Sequence, residues 1–211
     1  MKKDIKRLYF DIETVRGVIN VNPDDLKAPS NYTDVMKIAA YKDKKMQEIK
    51  DKAGLNSFTA KICSISWAVD NGEVQNITSI NEDELIYKFE NAIDKEGCFF
   101  EWIGHNILSF DLPFIFHRSV KYDAGRLKSL LPESNRHNIY DTMKQLSPTD
   151  YKAMHKLSDA CTYMGIKSPK DGIDGSKVQG YYDAGRFNEI GLYCSNDVKA
   201  VRDLHLKLIK R

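Results

Sequence analysis

The stretch Leu8-Tyr9-Phe10-Asp11-Ile12-Glu13 decides how this sequence is read. A tight apolar block runs straight into two carboxylates. Strand side chains alternate, so Asp11 and Glu13 face one way while Phe10 and Ile12 face the other. Two carboxylates side by side on a largely buried strand repel, and their pKa values rise unless a cation sits between them. Hard oxygen ligands at the end of a strand suit Mg²⁺ or Mn²⁺. Taken alone, the pattern also describes a strand running out into a polar loop.

The rest of the chain supplies an α/β frame for that strand. Residues 5–12 read as the strand itself, followed by a polar, proline-containing stretch to about Asn31. Residues 33–55 read as a helix, with Val35, Ile38, Ala39, Met46, Ile49 and Ala53 at spacings of three and four and Gly54 as its stop. Residues 61–69 form a second strand. Asn71-Gly72 is a two-residue hairpin signal, and residues 73–80 are its antiparallel partner. The acidic turn Asn81-Glu82-Asp83-Glu84 opens a helix to about Asp94, with Leu85, Ile86, Phe89 and Ile93 inward. A buried strand over 98–103 follows, then a helix capped by Ser109 with Pro113 in its first turn. A short fifth strand over 138–143 and a helix over 157–164 come next, then a loop over 168–182. A helix from about Arg186 to the end carries Ile190, Cys194, Val198, Val201, Leu204 and Leu208 on one stripe. The expected fold is an α/β domain with a mixed sheet of about five strands flanked by helices.

Composition narrows the function classes. The chain has 211 residues, 42% hydrophobic and 29% charged, which excludes collagen-like and wholly disordered chains. That length suits one domain spanning 1–211, with about 15–57 a partly helical segment that no motif places. Lys and Arg total 32 against 30 Asp and Glu, a net +2. Binding by bulk charge is thus excluded, but a local basic groove is not. No run approaches the ~20 apolar residues of a membrane span, and the start lacks a signal peptide's apolar stretch. Cys63, Cys98, Cys161 and Cys194 are scattered, with no zinc-finger spacing. Reduced thiols in a cytoplasmic protein are the expectation.

Two further segments carry acidic residues in telling places. In Asn106-Ile107-Leu108-Ser109-Phe110-Asp111, the aspartate falls in the first turn of a helix, where the helix dipole alone would favour it. In Tyr193-Cys194-Ser195-Asn196-Asp197, Tyr193 and Asp197 share one helix face at i and i+4. Each has a bland reading as a dipole partner or core-edge pair.

Together, in order and spacing, the three segments resemble the exonuclease motifs of the DEDD superfamily of 3′–5′ exonucleases, which have a ribonuclease-H-like fold. Asp11 and Glu13 match the first motif, Asn106, Phe110 and Asp111 the second, and Tyr193 and Asp197 the third. The histidine branch would put His where Leu192 stands, so the chain resembles the tyrosine branch. The gap between Asn106 and Phe110 is similar to that in the proofreading domain of family B DNA polymerases. Gly172-Ile173-Asp174-Gly175 resembles stand-alone relatives of that domain. With 14 residues after Asp197 (211 minus 197), no polymerase domain is expected to follow.

The resemblance implies hydrolysis of phosphodiester bonds at the 3′ end of single-stranded DNA, with two Mg²⁺ or Mn²⁺ ions supplying an activated water and a stabilised leaving oxygen. It implies metal ligation by Asp11, Glu13, Asp111 and Asp197, with Asp11 between the ions and Asp111 binding directly or through water. Tyr193 would orient the attacking water, since a phenol with pKa near 10 is a poor base. Asn106 and Phe110 would handle the nucleic acid by hydrogen bonding and stacking. RNA as substrate, or a non-catalytic nucleic-acid-binding module on the same fold, are the alternatives. Replication or repair proteins are the protein partners such a relative would meet. Lys167 and Lys170 lie where polymerase relatives often place a lysine near the cleaved phosphate, and Lys177 is equally open. A solvated loop lysine is the better reading for either of the first two alone. Asp141 reads better as a hydrogen-bond partner for a loop, and His105 as a packed strand-end residue. The lysines of 33–55 read as a solvated face before they read as a phosphate track.

Overall fold

The structure is a computed structural model that describes residues 5–132, 138–150, 152–169 and 174–210. The chain forms two compact units, one running to Glu13 and resuming at Ile62, the other being Thr14–Lys61.

The larger unit is built on a five-stranded sheet. The strands are β1 (Ile5–Arg16), whose last three residues fall in the smaller unit, β2 (Ala60–Val69), whose first two do, β3 (Gln75–Thr78), β4 (Phe99–Gly104) and β5 (Ile139–Asp141). Their order across the sheet is β3-β2-β1-β4-β5. β2 and β3 are antiparallel, whereas β4 runs parallel to both β1 and β5. This is the mixed, helix-flanked α/β sheet that the sequence predicts. The hairpin turn differs in detail. Asp70, rather than Asn71 or Gly72, takes the positive φ of 50°, its Oδ1 accepts the Arg7 N–H, and β3 starts two residues later than expected.

Parallel strands need crossovers, and helices supply them. α2 (Glu82–Asp94) lies between β3 and β4 in the chain, with Leu85, Ile86, Phe89 and Ile93 fully buried. Phe89 packs on Phe10 at 5.3 Å and on Trp67 at 5.2 Å, and Phe10 meets Trp102 edge-on at 5.2 Å. On the opposite face, Tyr9, Ala68 and Ile103 pack with Val198 and Val201 of α8 (Phe187–Ile209). Full burial of each such side chain stabilises by roughly 1.5–3 kcal/mol. Thus residues 9 and 10, one step apart on β1, anchor a helix layer on each face.

α3 (Asp111–Lys121) and α4 (Gly125–Leu130) connect β4 to β5. α3 begins at Asp111 with Phe110 as its cap, not Ser109, because the Asn106 carbonyl accepts both the Ser109 and Phe110 N–H groups and turns the chain first. The buried Glu82 fixes α3 to the sheet. Its carboxylate accepts from Ile62 N (2.6 Å), Arg118 Nε (2.5 Å) and Tyr122 OH (2.7 Å). α5 (Thr142–Leu146) follows β5, and α6 is Leu157–Tyr163. Part of the loop expected over 168–182 is helical: a 3-10 turn at Gly175–Lys177 leads into α7 (Val178–Asp183), pinned by the buried Val178.

In the smaller unit, a 3-10 turn at Pro23–Asp25 precedes α1 (Val35–Ala53). Asp34 caps α1 by accepting from Met36 N and Lys37 N. The C-terminal end of α1 is tied down: Thr14 Oγ1 donates to Gly54 O at 2.6 Å, and Thr59 Oγ1 donates to Ala53 O at 3.0 Å. The apolar stripe expected for this helix does not become a core. Val35 and Met36 are each 78% exposed, and Ala53 is its one buried residue.

Among the described residues, no helix is long and apolar enough to cross a membrane.

Candidate active site

The pairing of β1 with β4 ends at Tyr9 and Ile103, and β4 stops at Gly104. β1 continues, carrying Asp11 and Glu13 past the point where its neighbour leaves. Open α/β sheets collect their ligands at such strand ends. Asp11 is half-buried and Glu13 buried. One ligand atom each from Asp11, Glu13 and Cys194 lies within 4.8 Å of the others.

Asp111 reaches the same strand from the first position of α3. Its Oδ1 accepts the Ile12 N–H at 3.1 Å, satisfying a β1 donor between Asp11 and Glu13. The turn before α3 is closely built. A Cβ on Gly104 would meet the Ile107 side chain at 2.7 Å, so any larger residue there must displace Ile107. Asn106 sits in the left-handed region at φ 62°. Asp141, ending β5, holds this turn: it accepts from Asn106 N (3.0 Å) and Leu108 N (3.2 Å) while capping α5 through Met143 N (3.0 Å). Asp141 is therefore occupied with backbone groups. His105 is held between the Thr142 hydroxyl (2.9 Å) and the His155 carbonyl (2.7 Å).

α8 brings Tyr193 and Asp197 to the sheet over a polar seat that the sequence did not disclose. A Cβ on Gly191 would lie 2.5 Å from Asn76 Oδ1 and 2.8 Å from Thr78 Oγ1. Asn76 Nδ2 donates to Ser64 Oγ (2.9 Å) and Ser66 Oγ (2.8 Å), and Ser66 Oγ is 3.2 Å from Ser195 Oγ. One turn along, the Cys194 thiol donates to the Asp11 carbonyl and to Asp11 Oδ2, both at 3.4 Å. Small side chains thus let α8 approach closely, and their hydroxyl and amide groups fix its register.

The carboxylates are electrostatically joined. Burial first, then Asp197, Asp111 and Glu13, holds Asp11 well above the usual carboxylate range. Burial followed by Asp197 and Asp111 does the same to Glu13. Asp111 is pushed up to about 7 by burial, against the pull of backbone N–H groups. Burial, Asp197, Glu13 and Asp11 raise the Tyr193 phenol far above its ordinary value, so it stays protonated. The Cys194 thiol is likewise raised by burial and by Asp11. A neutral, soft thiol is a poor ligand for Mg²⁺, whereas four crowded carboxylate groups are hard donors that a divalent cation would relieve. The donor set therefore fits a hard divalent metal through its carboxylates.

A cavity of about 460 Å³ opens beside Tyr193 and Asp197 and is also lined by Lys156, Leu157, Ser158 and Pro169. Asp174 and Gly175 reach it as well. Lys170, Gly172 and Ile173 lie outside the described residues. Lys167 and Lys177 do not line the cavity; Lys156, just before α6, does, and nothing in the sequence marked it. Asn106 and Phe110 sit apart from this lining, at the start of α3. Asn106 Oδ1 is buried without a hydrogen-bond partner among the described residues, and Phe110 packs on Phe114 at 4.9 Å.

Residues 55–209, nearly three quarters of the chain, match a family described as a predicted 3′-5′ exonuclease related to the exonuclease domain of PolB. That match takes in Asp111, Tyr193 and Asp197; Asp11 and Glu13 precede it. An uncharacterized protein of Methanocaldococcus jannaschii is 30% identical over 161 residues, covering 74% of this chain and 84% of that protein. The family B DNA polymerase of the hyperthermophilic archaeon Pyrobaculum calidifontis is similar at a TM-score of 0.64 and 15% identity, over 98% of this chain. The chain spans 25% of that polymerase's length, and at this identity the likeness is one of fold.

Proposed function

We propose a function from one premise: this chain belongs to the family of predicted 3′-5′ exonucleases related to the exonuclease domain of PolB. The reading is a metal-dependent 3′–5′ exonuclease of the tyrosine type that hydrolyses single-stranded DNA from its 3′ end. The whole chain is taken as one exonuclease domain. The observation that carries the reading is the carboxylate group itself: Asp11 and Glu13 come from a strand that outruns its neighbour, Asp111 bonds the backbone N–H between them, and Asp197 lies near enough to raise the pKa of both.

Asp11, Glu13, Asp111 and Asp197 are the residues that would hold two divalent cations. When bound, such ions activate a water and stabilise the leaving oxygen of the phosphodiester. Tyr193, kept protonated by its surroundings, donates a hydrogen bond that orients the attacking water. Lys156, exposed on the cavity wall, offers a cation to the substrate phosphate. Asn106, whose buried Oδ1 has no hydrogen-bond partner among the described residues, supplies an amide for a sugar or base edge. Phe110 offers a ring against the terminal base. A duplex end must fray first, at about 1.4 kcal/mol per base-pair step, which favours a single strand.

The test is digestion of end-labelled single-stranded DNA with Mn²⁺ or EDTA. Mononucleotides should be released from the 3′ end, only with metal, and Asp11→Ala or Asp197→Ala should abolish release while the protein stays folded. Cleavage of a circular single strand, or wild-type rates for Asp11→Ala, would overturn the assignment. Faster digestion of RNA than of DNA would move the substrate class to RNA.

A further inference from the structure

We propose that the Thr14–Lys61 unit carries a second nucleic-acid site, a groove along α1 that holds single-stranded polynucleotide by its backbone and bases. The nucleic-acid class rests on the exonuclease reading; the groove does not.

Two cavities, of about 520 and 420 Å³, run along α1 and share Lys45 and Glu48 in their walls. One is lined also by Tyr32, Lys37, Tyr41 and Lys44, the other by Lys52 and Phe58. Positions 37, 41, 44, 45, 48 and 52 recur at helical spacing and form one face. At 1.5 Å per residue, Lys37 to Lys52 spans about 22 Å. Four lysines face the groove against one acid, Glu48, which pairs with Lys45 at 3.0 Å. Lys37, Lys44 and Lys52 make no side-chain hydrogen bond or ion pair among the described residues. Asp43 and Asp51 line neither cavity, and Asp51 is engaged by Gln47 Nε2 at 2.7 Å.

Aromatic rings are interleaved with these cations. Tyr32 and Tyr41 meet edge-on at 5.9 Å, and Phe58 is 81% exposed. Lysines that neutralise a phosphate backbone, beside rings on which bases can stack, make the usual platform for a single strand. An ordinary solvated helix would not need this form. α1 is capped and fastened at its C-terminal end, yet it buries only Ala53. Such a helix is held in place without serving a core. The family match starts at residue 55, so it does not account for α1.

The experiment uses the full chain in EDTA, where cleavage is not needed. Binding of a fluorescent oligothymidylate of about 20 nucleotides is followed by anisotropy over a range of salt. Replacing Lys37, Lys44 and Lys52 together by Glu should weaken binding at least tenfold. It should also flatten the slope of log K against log salt by about two, from three lost contacts at roughly 0.7 each. Tyr41→Ala should weaken binding several-fold with the slope unchanged, because stacking releases no counterions. The same three lysines changed to Gln give a milder test if charge reversal disturbs the helix. Hydrolysis of a trinucleotide with Mn²⁺ should be unaffected. If the exonuclease reading fails, that last arm is silent while the binding arms still decide. Unchanged affinity and slope in both triple variants would overturn the groove. So would competition by polyglutamate or anionic vesicles as effective as that by unlabelled oligonucleotide.

Discussion

Asp111 shows how burial and hydrogen bonding compete at one carboxyl group. Two backbone N–H groups favour its ionised form, yet burial wins and its pKa stands at about 7. The folded protein therefore binds this proton more tightly than the unfolded chain, whose Asp titrates near 4. Its stabilising effect is full below pH 4 and is lost as pH rises through 7. Asp111→Asn keeps an acceptor for Ile12 N–H and cannot ionise. In EDTA this variant should melt above the wild type at pH 8, with the advantage gone at pH 4. Mn²⁺ should reverse the order at pH 8 by raising the wild-type Tm more. Melting curves at the two pH values, with and without metal, check both signs. Tyr193 makes a different kind of contribution. Tyr193→Phe retains the ring and the carboxylates, so KM should hold while kcat falls about tenfold to a hundredfold, at or below the low end of general-base losses. Single-turnover rates check this; a loss confined to KM would leave Tyr193 a packing residue.

α8 works as an element because Gly191 lets it settle on β3. Adding one methyl at Gly191 forces it against Asn76 Oδ1 and Thr78 Oγ1. Overpacking of this kind typically costs about 1–3 kcal/mol. Gly191→Ala should lower stability by that order and cut kcat as well, since Tyr193 and Asp197 ride on the displaced helix. Asn76→Ala in the same chain should restore part of both, as urea melts and rates will show. This seat also marks the limit of what the sequence revealed. Strand and helix periods placed Asp11 with Glu13 on one face of a strand and Tyr193 with Asp197 on one face of a helix, while the grouping of all four carboxylates came only from the resemblance to the exonuclease motifs. The β-sheet and the buried faces of α2 and α8 were readable from the same periods. Ser64, Ser66, Asn76 and Thr78 look like ordinary polar strand residues until α8 lies on them, because their meaning is tertiary. Lys156 was missed for the same cause: the fold, not a local pattern, puts it beside Asp197. The start of α3 was misplaced because a backbone carbonyl, rather than the Ser109 side chain, forms the turn. The period predicts α1 as a helix, but period alone does not say whether anything covers its apolar residues, and only Ala53 is buried.

Over the whole molecule, a net charge of +2 conceals an uneven distribution: acids converge at one end of the sheet while lysines gather along α1. The four thiols are distributed just as unevenly. Cys63, Cys161 and Cys194 are fully buried, and Cys98 is partly exposed. Burial also raises the Cys161 thiol to about 11 and Cys194 well above its ordinary value. Alkylating reagents attack the thiolate, so the folded chain shields these two both by access and by protonation. Cys194 lies where α8 meets β1, its thiol donating to Asp11 Oδ2. Its alkylation therefore acts as a clock for the lifting of α8, ticking only when that helix parts from the sheet. With iodoacetamide and peptide mass analysis, Cys98 should label within minutes and Cys194 far more slowly. Adding Mn²⁺ should slow the Cys194 clock further and leave Cys98 untouched, which would measure, without any substrate, how firmly a cation clamps helix to strand.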